Sequence, residues 1–183
     1  MDIGDASYSR YINAGDDSAI GEIISEYKDG LILFLNNYVR NIVTAEELCE
    51  DTFVKLAVKK PRFKGNSSFK TFLYTIARNI AIDYLRKSKN TVPMEELVEL
   101  KDKADLERDY LKEEQKINLH SAMKKLKPDY SRVLWLIYFE ELSNKEAAAV
   151  MGKSAHAVET MVYRARLALK TQLEKEGFIY ENI

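Results

Sequence analysis

Cysteine, proline and glycine are all scarce in this chain: its 183 residues include one Cys, three Pro and seven Gly. A single cysteine, Cys49, excludes an intrachain disulfide and any cysteine-rich zinc site. Cys49 falls on an apolar stripe at helical spacing, which predicts a small core residue. Because so few helix breakers separate long periodic segments, the composition predicts an all-α protein.

Long apolar runs are also missing, since no stretch approaches the roughly 18–20 residues of a membrane-spanning helix. The first ten residues are acidic where a signal peptide would be basic and then apolar. We therefore expect a cytoplasmic protein with no membrane insertion. The two histidines, His120 and His156, are far apart, and no His/Asp/Glu cluster has ligand spacing. This argues against an enzyme such as a metal-dependent nuclease, and predicts no metal, no cofactor and no catalytic residue.

The net charge of −1 hides a strongly uneven distribution. Residues 55–90 contain ten Lys and Arg against one acidic residue, whereas residues 1–54 contain three against eleven. Residues 91–118 contain five against nine, and residues 119–183 ten against eight. A basic block of this size favours binding to a polyanion. The alternative is a solvated basic helix face.

The basic block centres on residues 63–87, FKGNSSFKTFLYTIARNIAIDYLRK, which predict a polar loop followed by a helix capped by Ser67 or Ser68. An apolar stripe is predicted from Phe69, Phe72, Leu73, Ile76, Ile80 and Tyr84. Off that stripe lie Lys70, Tyr74, Arg78, Asn79, Arg86 and Lys87. Cations meet phosphates, while rings and amides meet unstacked bases, so this mixture favours a nucleic acid strand.

Three helices are predicted before the basic block. A short one near residues 8–14 is closed by Gly15, and a second, capped by a residue in 16–18, continues past Gly30. A third starts at Thr44, with Glu47 placed as in a capping box. Its outer face is acidic, through Glu46, Glu47, Glu50 and Asp51. These are either favourable charges of a first turn or a docking surface for a basic partner.

After the basic block the helical pattern fades. Residues 91–105 contain a proline, many acids and little apolar periodicity, which predicts a flexible tether. The chain is therefore expected to form two small helical domains, residues 1–90 and 106–183, joined by this linker. In the second domain Pro128 is well placed to open a helix that is apolar nearly all round, with Trp135 in the core.

A second informative segment, LSNKEAAAVMGKSAHAVETMVYRARLALK, begins with Ser143 and Glu146 in a capping-box pattern. Gly152 ends one helix and Ser154 caps the next, which matches a helix-turn-helix. The second helix of that motif enters the DNA major groove, and Val158, Val162 and Ala165 are predicted to face inward. The exposed candidates are Lys153, His156, Glu159, Thr160, Tyr163 and Arg164. The alternative is a helical hairpin that packs only against protein.

Taken together, these segments resemble a bacterial extracytoplasmic-function RNA polymerase sigma factor, from about residue 11 to residue 173. TAEELCEDTFVKL is similar to the family's helix that docks on the polymerase β′ subunit. Residues 63–87 resemble its segment that melts promoters and reads the minus-ten element. LKPDYSRVLWLIYFEELSNKEAAAVMGKSAHAVETMVYRARLAL resembles its domain that reads the minus-thirty-five element.

The resemblance implies a transcription initiation factor that binds core RNA polymerase through β′ and β, confers promoter recognition and assists strand opening. It assigns the acidic face of the third helix to the β′ contact. It also implies contact with duplex promoter DNA and the single non-template strand, and inhibition by an anti-sigma factor. The residues implied in the minus-ten interaction are Arg62, Lys64, Asn66, Ser67, Lys70, Tyr74, Arg78, Asn79, Asp83, Arg86 and Lys87. The minus-thirty-five contacts fall on the six exposed candidates of the helix-turn-helix.

The chain departs from the family pattern at three positions. Phe72 replaces a frequent Trp, while Glu159 and Met161 stand where basic residues are frequent. Glu accepts a hydrogen bond from cytosine, so an altered base preference is expected at Glu159. The competing hypotheses are a stand-alone helix-turn-helix regulator with a helical sensor domain, and a protein-binding adaptor. The regulator would need a ligand pocket or dimer interface in residues 1–90, and it leaves the basic helix unexplained.

Overall fold

The structure, a computed structural model, describes residues 3–91 and 114–176, and within these ranges every regular element is an α-helix. The prediction of an all-α protein is therefore confirmed. The helices are α1 (Ile3–Ala14), α2 (Ser18–Val39), α3 (Ile42–Lys59), α4 (Phe69–Thr91), α5 (Glu114–Lys124), α6 (Pro128–Tyr138), α7 (Asn144–Met151) and α8 (Ala155–Lys175).

The chain divides into two compact units, Met1–Lys103 and Ala104–Ile183. The first contains α1 to α4 and the second contains α5 to α8. The tether predicted over residues 91–105 lies outside the described residues, apart from Thr91 at the end of α4. Its flexibility and the exact domain limits therefore stay predictions.

Helix α2 is the centre of the first unit, because α1, α3 and α4 all pack against it. Residues 31–38, two full turns of α2, are buried on every side. Gly30 does not interrupt the helix. A glycine inside a helix costs about 1 kcal/mol relative to alanine, and burial of the apolar residues that follow it is worth more.

The start of α3 differs from the prediction. The helix begins at Ile42, and its N-cap is Asn41, whose side chain accepts a hydrogen bond from the Thr44 amide at 3.1 Å. Thr44 is thus inside the first turn. The predicted core position of Cys49 is confirmed, since its side chain is buried between α2 and α3 and its Sγ lies 3.8 Å from the Lys28 carbonyl oxygen.

Helix α6 forms the core of the second unit, with Trp135 buried as predicted. Its indole stacks on Phe139, the ring centroids being 4.2 Å apart and the planes 11° from parallel. The indole N–H donates to Glu140 Oε1 at 3.1 Å. Helices α7 and α8 pack against α6 and each other, which fixes the angle of the pair.

Candidate nucleic-acid and polymerase interfaces

The loop before α4 is exposed over most of its length. Arg62, Lys64, Asn66 and Ser67 are all exposed, and Gly65 takes a φ of 68° at the bend. A β-carbon at Gly65 would meet no atom within 4 Å, so the requirement for glycine is conformational. The loop thus presents two cations and two small polar side chains at the start of α4.

The start of α4 is held by two side chains. The Ser68 hydroxyl accepts a hydrogen bond from the Thr71 amide at 3.3 Å. Of the two predicted caps, Ser67 and Ser68, it is therefore Ser68 that caps the helix. The carboxylate of Asp5 in α1 accepts another from the Phe69 amide at 3.0 Å. This second cap joins residues 64 positions apart, and no local sequence pattern could have predicted it.

Tyr74 was predicted on the exposed face of α4, and this prediction is wrong. Tyr74 is fully buried, with its ring 5.0 Å from that of Phe34 in α2. The buried face of α4 follows residues 69, 73, 77 and 81 and extends to Tyr74 and Ile76, whereas Ile80 is half-buried and Tyr84 is 37% exposed. The face is rotated from the predicted stripe because α2 and α3 cover adjacent arcs of α4.

The remaining predicted polar positions of α4 reach solvent. Asn79, Asp83, Arg86 and Lys87 are exposed, while Lys70 and Arg78 are half-buried. Asn79 Oδ1 accepts a hydrogen bond from Arg78 at 3.1 Å, and Asp83 pairs with Arg86 at 3.0 Å. The exposed cations and amides therefore form two groups, one in the loop and one in the C-terminal half of α4, with the half-buried Lys70 and Arg78 between them.

Helix α1 braces the segment that leads into this loop. The Tyr8 hydroxyl donates to the Pro61 carbonyl oxygen at 2.7 Å, and the Tyr11 hydroxyl donates to the Ala57 carbonyl oxygen at 2.9 Å. Phe63 packs edge-on or tilted against Tyr8, Phe69 and Phe72, with centroids 5.2–6.5 Å apart. Sequence reasoning missed this role of α1, because the pattern near Tyr8 predicts a helix but not its neighbours.

The acidic face of α3 carries more than acids. Glu47, Glu50 and Asp51 are exposed and Glu46 is half-buried. Val43 and Val54 lie at three- and four-residue steps from these acids, and Val58 lies one turn beyond Val54. The three valines are 48%, 58% and 69% exposed. These valines are not among the residues predicted from the sequence, although the four-residue spacing of Val43 from Glu47 and of Val54 from Glu50 was a usable signal. Apolar side chains and acids therefore share this face of α3.

The helix-turn-helix forms as predicted from α7 and α8. Ser143 and Glu146 make both hydrogen bonds of a capping box, and Gly152 ends α7 with a φ of 64°. The Ser154 hydroxyl accepts from the Ala157 amide at 3.2 Å and so caps α8. Val158, Val162 and Ala165 are buried, as predicted. The buried side of α8 is therefore established, and the opposite side is the one that would face the DNA major groove.

Five of the six predicted contact residues on the helix-turn-helix are exposed, and Thr160 is half-buried. The Thr160 hydroxyl donates to the His156 carbonyl oxygen at 3.1 Å, within the helix. Lys153 lies 3.3 Å from Asp129, so its ammonium is partly neutralised inside the second unit. Tyr163 is 65% exposed and directs a ring outward beside Glu159 and Arg164.

Residues 3–91 and 114–176 contain neither a candidate metal site nor a candidate membrane-spanning helix. No group of three or more His, Cys, Asp or Glu side chains there could hold a metal ion. None of the described helices is long and apolar enough to cross a membrane.

The fold and its exposed surfaces define a class of helical protein with two units. The first unit contains a basic helix preceded by an exposed loop, and the second contains a helix-turn-helix. Comparison with known families gives the same division: residues 23–91 match "Sigma-70 region 2" and residues 116–169 match "Sigma-70, region 4". The chain is 32% identical over 165 residues to RNA polymerase sigma factor YlaC of Bacillus subtilis, covering 86% of this chain and 93% of that protein. It is 27% identical over 175 residues to the ECF RNA polymerase sigma factor SigW of the same organism, covering 90% and 94%.

Two solved structures share the fold. CnrH, in complex with the cytosolic domain of CnrY, matches with a TM-score of 0.63 at 21% identity, over 94% of this chain and 96% of that one. The sigma factor RpoE of Bartonella quintana, in complex with the anti-sigma factor NepR, matches with a TM-score of 0.64 at 21% identity, over 84% and 96%. The chain belongs to the extracytoplasmic-function group of the sigma-70 family. It is a transcription initiation factor, which binds core RNA polymerase and promoter DNA.

Proposed function

We propose a division of labour among three surfaces of this initiation factor. The acidic and valine-bearing face of α3 docks on the β′ subunit of core polymerase, the loop with α4 traps and reads the opened minus-ten element, and the N-terminal half of α8 reads the minus-thirty-five element. The observation that carries this proposal is that the exposed loop presents cations and an amide, and that the C-terminal half of α4 presents a second exposed set of the same groups from Asn79 to Lys87. This arrangement suits a single strand better than a groove, because phosphates and splayed bases need cations and hydrogen-bonding groups side by side.

Strand opening follows from the same surface. Unstacking one base costs a few kcal/mol, and a preformed pocket together with polymerase contacts offsets that cost. Asn79 and the small polar residues Asn66 and Ser67 supply donors and acceptors for a base edge. Lys64, Arg86 and Lys87 supply charge for phosphates. The hydrogen bonds of Ser68 and Asp5 at the start of α4 support a loop whose shape is set before DNA arrives.

The protein acts without catalysis of its own, since polymerase makes the RNA. We place it in the cytoplasm, where core polymerase and the chromosome are found. An anti-sigma factor is a further partner, supported by the solved structure of RpoE, which is a complex with the anti-sigma factor NepR. It would act by covering the polymerase-binding or DNA-binding surfaces.

The test is transcription from a library of randomised promoters, with core polymerase alone, with this protein alone and with both. The expected result is selection of two short elements at fixed spacing, with transcripts only when both components are present. A stand-alone helix-turn-helix regulator predicts a different result, namely tight binding of this protein to one palindromic site with no effect of core polymerase. That outcome would overturn the proposal.

A further inference from the structure

One turn of α1 holds both ends of the loop that precedes α4. The Tyr8 hydroxyl donates to the Pro61 carbonyl oxygen at 2.7 Å, where the loop begins. The Asp5 carboxylate accepts from the Phe69 amide at 3.0 Å, where the loop ends and α4 starts. Asp5 and Tyr8 are three positions apart in one helix, so their side chains lie on the same face of α1. The two ends of the loop are therefore tied to neighbouring points of one helix.

Aromatic rings pack the two ends of the loop against each other. The Phe63 and Phe69 rings lie edge to face, with their centroids 5.9 Å apart. The buried Tyr8 ring contacts both, with its centroid 6.5 Å from that of Phe63 and 5.1 Å from that of Phe69. Residues 64–68 lie between these rings along the chain and are exposed, apart from the half-buried Ser68. The loop therefore projects from a packed base, and α1 supplies the ring that joins its two sides.

The position of α1 is itself fixed from two sides. Gly4 packs so closely against Phe69 that a β-carbon would clash with the ring. On the α2 side, the Ser7 hydroxyl donates to Glu22 Oε2 at 2.7 Å, and the Arg10 guanidinium lies 2.6 Å from Glu22 Oε1. The helix that anchors the loop is therefore held by α2, the central helix of the unit.

The two anchoring residues come from outside the segment that matches the family model. Residues 23–91 match "Sigma-70 region 2", which includes the loop and α4 but not α1. We propose that Asp5 and Tyr8 are positioning residues for minus-ten recognition, and that they act through the loop without touching DNA. This inference rests on the proposed function, because it requires the loop to read a base.

Holding both ends of the loop affects affinity and selectivity in different ways. A held loop samples fewer conformations, so its polar groups lose less conformational entropy when they bind a base. A loop that is free to move can adjust its hydrogen-bonding groups to a wrong base, as flexible binding surfaces do for several partners. Loss of either anchor should therefore reduce discrimination between bases and leave the affinity for polymerase unchanged.

The first measurement is amide hydrogen exchange at the start of α4 in the free, full-length chain. Asp5→Ala removes the acceptor of the Phe69 amide and should speed exchange there about fivefold, the factor expected for loss of one cap. Asp5→Asn keeps an acceptor oxygen, and because Asn and Asp cap helices about equally well it should exchange as the unmodified protein does. This measurement needs no DNA, so it tests the anchor apart from the proposed function.

The second measurement uses the full chain assembled with core polymerase on a promoter whose minus-ten region is premelted. Each non-template base of the element is replaced in turn by the other three, and the ratio of dissociation constants is determined. Asp5→Ala and Tyr8→Phe should each lower the largest ratio by about two- to tenfold, the factor for loss of one hydrogen bond. Asp5→Asn should keep the ratio, and selection of the minus-thirty-five element should be unchanged in all three variants.

Asn41→Ala is the matched control, because it removes a capping side chain from α3 of the same unit, away from the loop. It should lower thermal stability as Asp5→Ala does and leave the ratio unaltered. If Asp5→Ala and Tyr8→Phe keep the ratio, the anchors only stabilise the fold and the inference is wrong. If Asn41→Ala lowers the ratio equally, the effect is a general loss of stability and the inference is again wrong. If the unmodified holoenzyme shows no base preference in the minus-ten element, the proposed function fails together with this inference, whereas the first two results leave that function standing.

Discussion

Two buried side chains of the first unit, the thiol of Cys49 and the phenol of Tyr8, keep their protons to unusually high pH. Burial raises the pKa of Cys49 from 9.0 to about 12. Burial, with a smaller contribution from Tyr11, raises the pKa of Tyr8 from 10.0 to about 12. Both groups ionise more readily in the unfolded chain, so between about pH 9 and pH 12 the folded state binds more protons. The free energy of unfolding should therefore fall as the pH rises through this window.

The measurement is urea unfolding of the protein at about pH 8 and at about pH 10.5. Below the unfolded pKa of Cys49 the stabilisation is complete, so the curve should be flat there and decline above it. The control is Cys49→Ala, which removes one of the two groups and should make the decline shallower. Unchanged stability across the whole window would contradict the high pKa of both groups.

Glu159 is the residue at which this chain should read DNA differently from its relatives. It is exposed in the N-terminal half of α8, beside Tyr163. Glutamate accepts a hydrogen bond from a cytosine amine, whereas lysine in its place donates one to guanine. This difference is worth about 1–3 kcal/mol per base pair. Glu159→Lys should therefore change the selected bases of the minus-thirty-five element and leave the minus-ten selection unaltered.

Randomised-promoter selection with the holoenzyme checks this expectation. Glu174→Lys is the matched control, because Glu174 is exposed on the same helix but near its C-terminal end. Equal changes in both variants would show a general effect of charge and not a base contact. A change at both promoter elements would likewise contradict the assignment of Glu159.

Single side chains show where prediction from the sequence reaches its limit. The inward positions of α8 and the core position of Trp135 were predictable, since each stands in a strong helical pattern. Tyr74 was not, because its place depends on Phe34 of α2, 40 positions earlier in the chain. Periodicity indicates that a helix has a buried face, but the neighbouring helices decide which arc is covered.

At the scale of elements, the mixed face of α3 makes a sharp prediction about polymerase binding. Val54 and Val58 are exposed in the free protein, so their replacement removes no core packing. Val54→Lys should weaken binding to core polymerase about tenfold or more, since a cation would replace apolar contact area and stand beside the acids. Stability should change by less than about 0.5 kcal/mol, as for other surface substitutions.

The affinity is measured by titrating labelled protein with core enzyme, alongside thermal unfolding of the free protein. Ile3→Lys is the matched control, because Ile3 is an exposed aliphatic residue of the same unit outside α3. If Val54→Lys and Ile3→Lys bind core polymerase as the unmodified protein does, α3 is not the docking helix.

The capping box of α7 makes the second prediction at this scale. Ser143 Oγ accepts from the Glu146 amide at 3.3 Å, and the Glu146 carboxylate accepts from the Ser143 amide at 3.0 Å. Ser143→Ala leaves amides of an eight-residue helix without their cap, and should cost about 1 kcal/mol of stability in the second unit. Ser143→Asp should restore most of it. Chemical unfolding that is unchanged by the alanine variant would contradict the structural role of the cap.

Helix limits were less predictable than helix existence. All helices predicted within the described residues are present, but α1 begins five residues before Tyr8 and α3 is capped by Asn41 instead of Thr44. The early start of α1 has a physical cause that no local pattern contains: Asp5 caps α4, and Gly4 packs against Phe69 where a β-carbon would clash with the ring. These long-range contacts fix the N-terminal turn of α1.

At the scale of the whole molecule, opposite charges are concentrated in different parts of the chain, although the net charge is only −1. The free protein should therefore bind single-stranded DNA weakly at physiological salt. Its affinity should fall linearly with salt on a logarithmic plot, with a slope of about −0.7 for each phosphate neutralised. Arg86→Gln with Lys87→Gln removes two exposed cations of α4 and should reduce the slope by about 1.4.

Fluorescence anisotropy between about 50 and 200 mM salt gives the slope. Lys170→Gln, an exposed cation of the second unit, is the control and should leave the slope for short single strands almost unchanged. An affinity that does not depend on salt would contradict an electrostatic origin.

The charge blocks, the two-part organisation and the family were all evident from the sequence, because each depends on composition and local pattern. The contacts of α1 with the loop before α4 were not, because they exist only where two distant segments meet.

The burial of residues 31–38 in α2 has a consequence for genetic screens of this protein. In two turns of helix without an exposed side chain, a larger residue at any position causes strain, and a polar residue at any of the apolar positions is desolvated. A saturation screen for loss of transcription will therefore report its densest cluster of inactivating changes in a buried segment, outside the surfaces proposed to contact polymerase and promoter. Such a screen needs a parallel measurement of cellular abundance. Without it, residues that only stabilise the fold will be mistaken for residues that recognise the promoter.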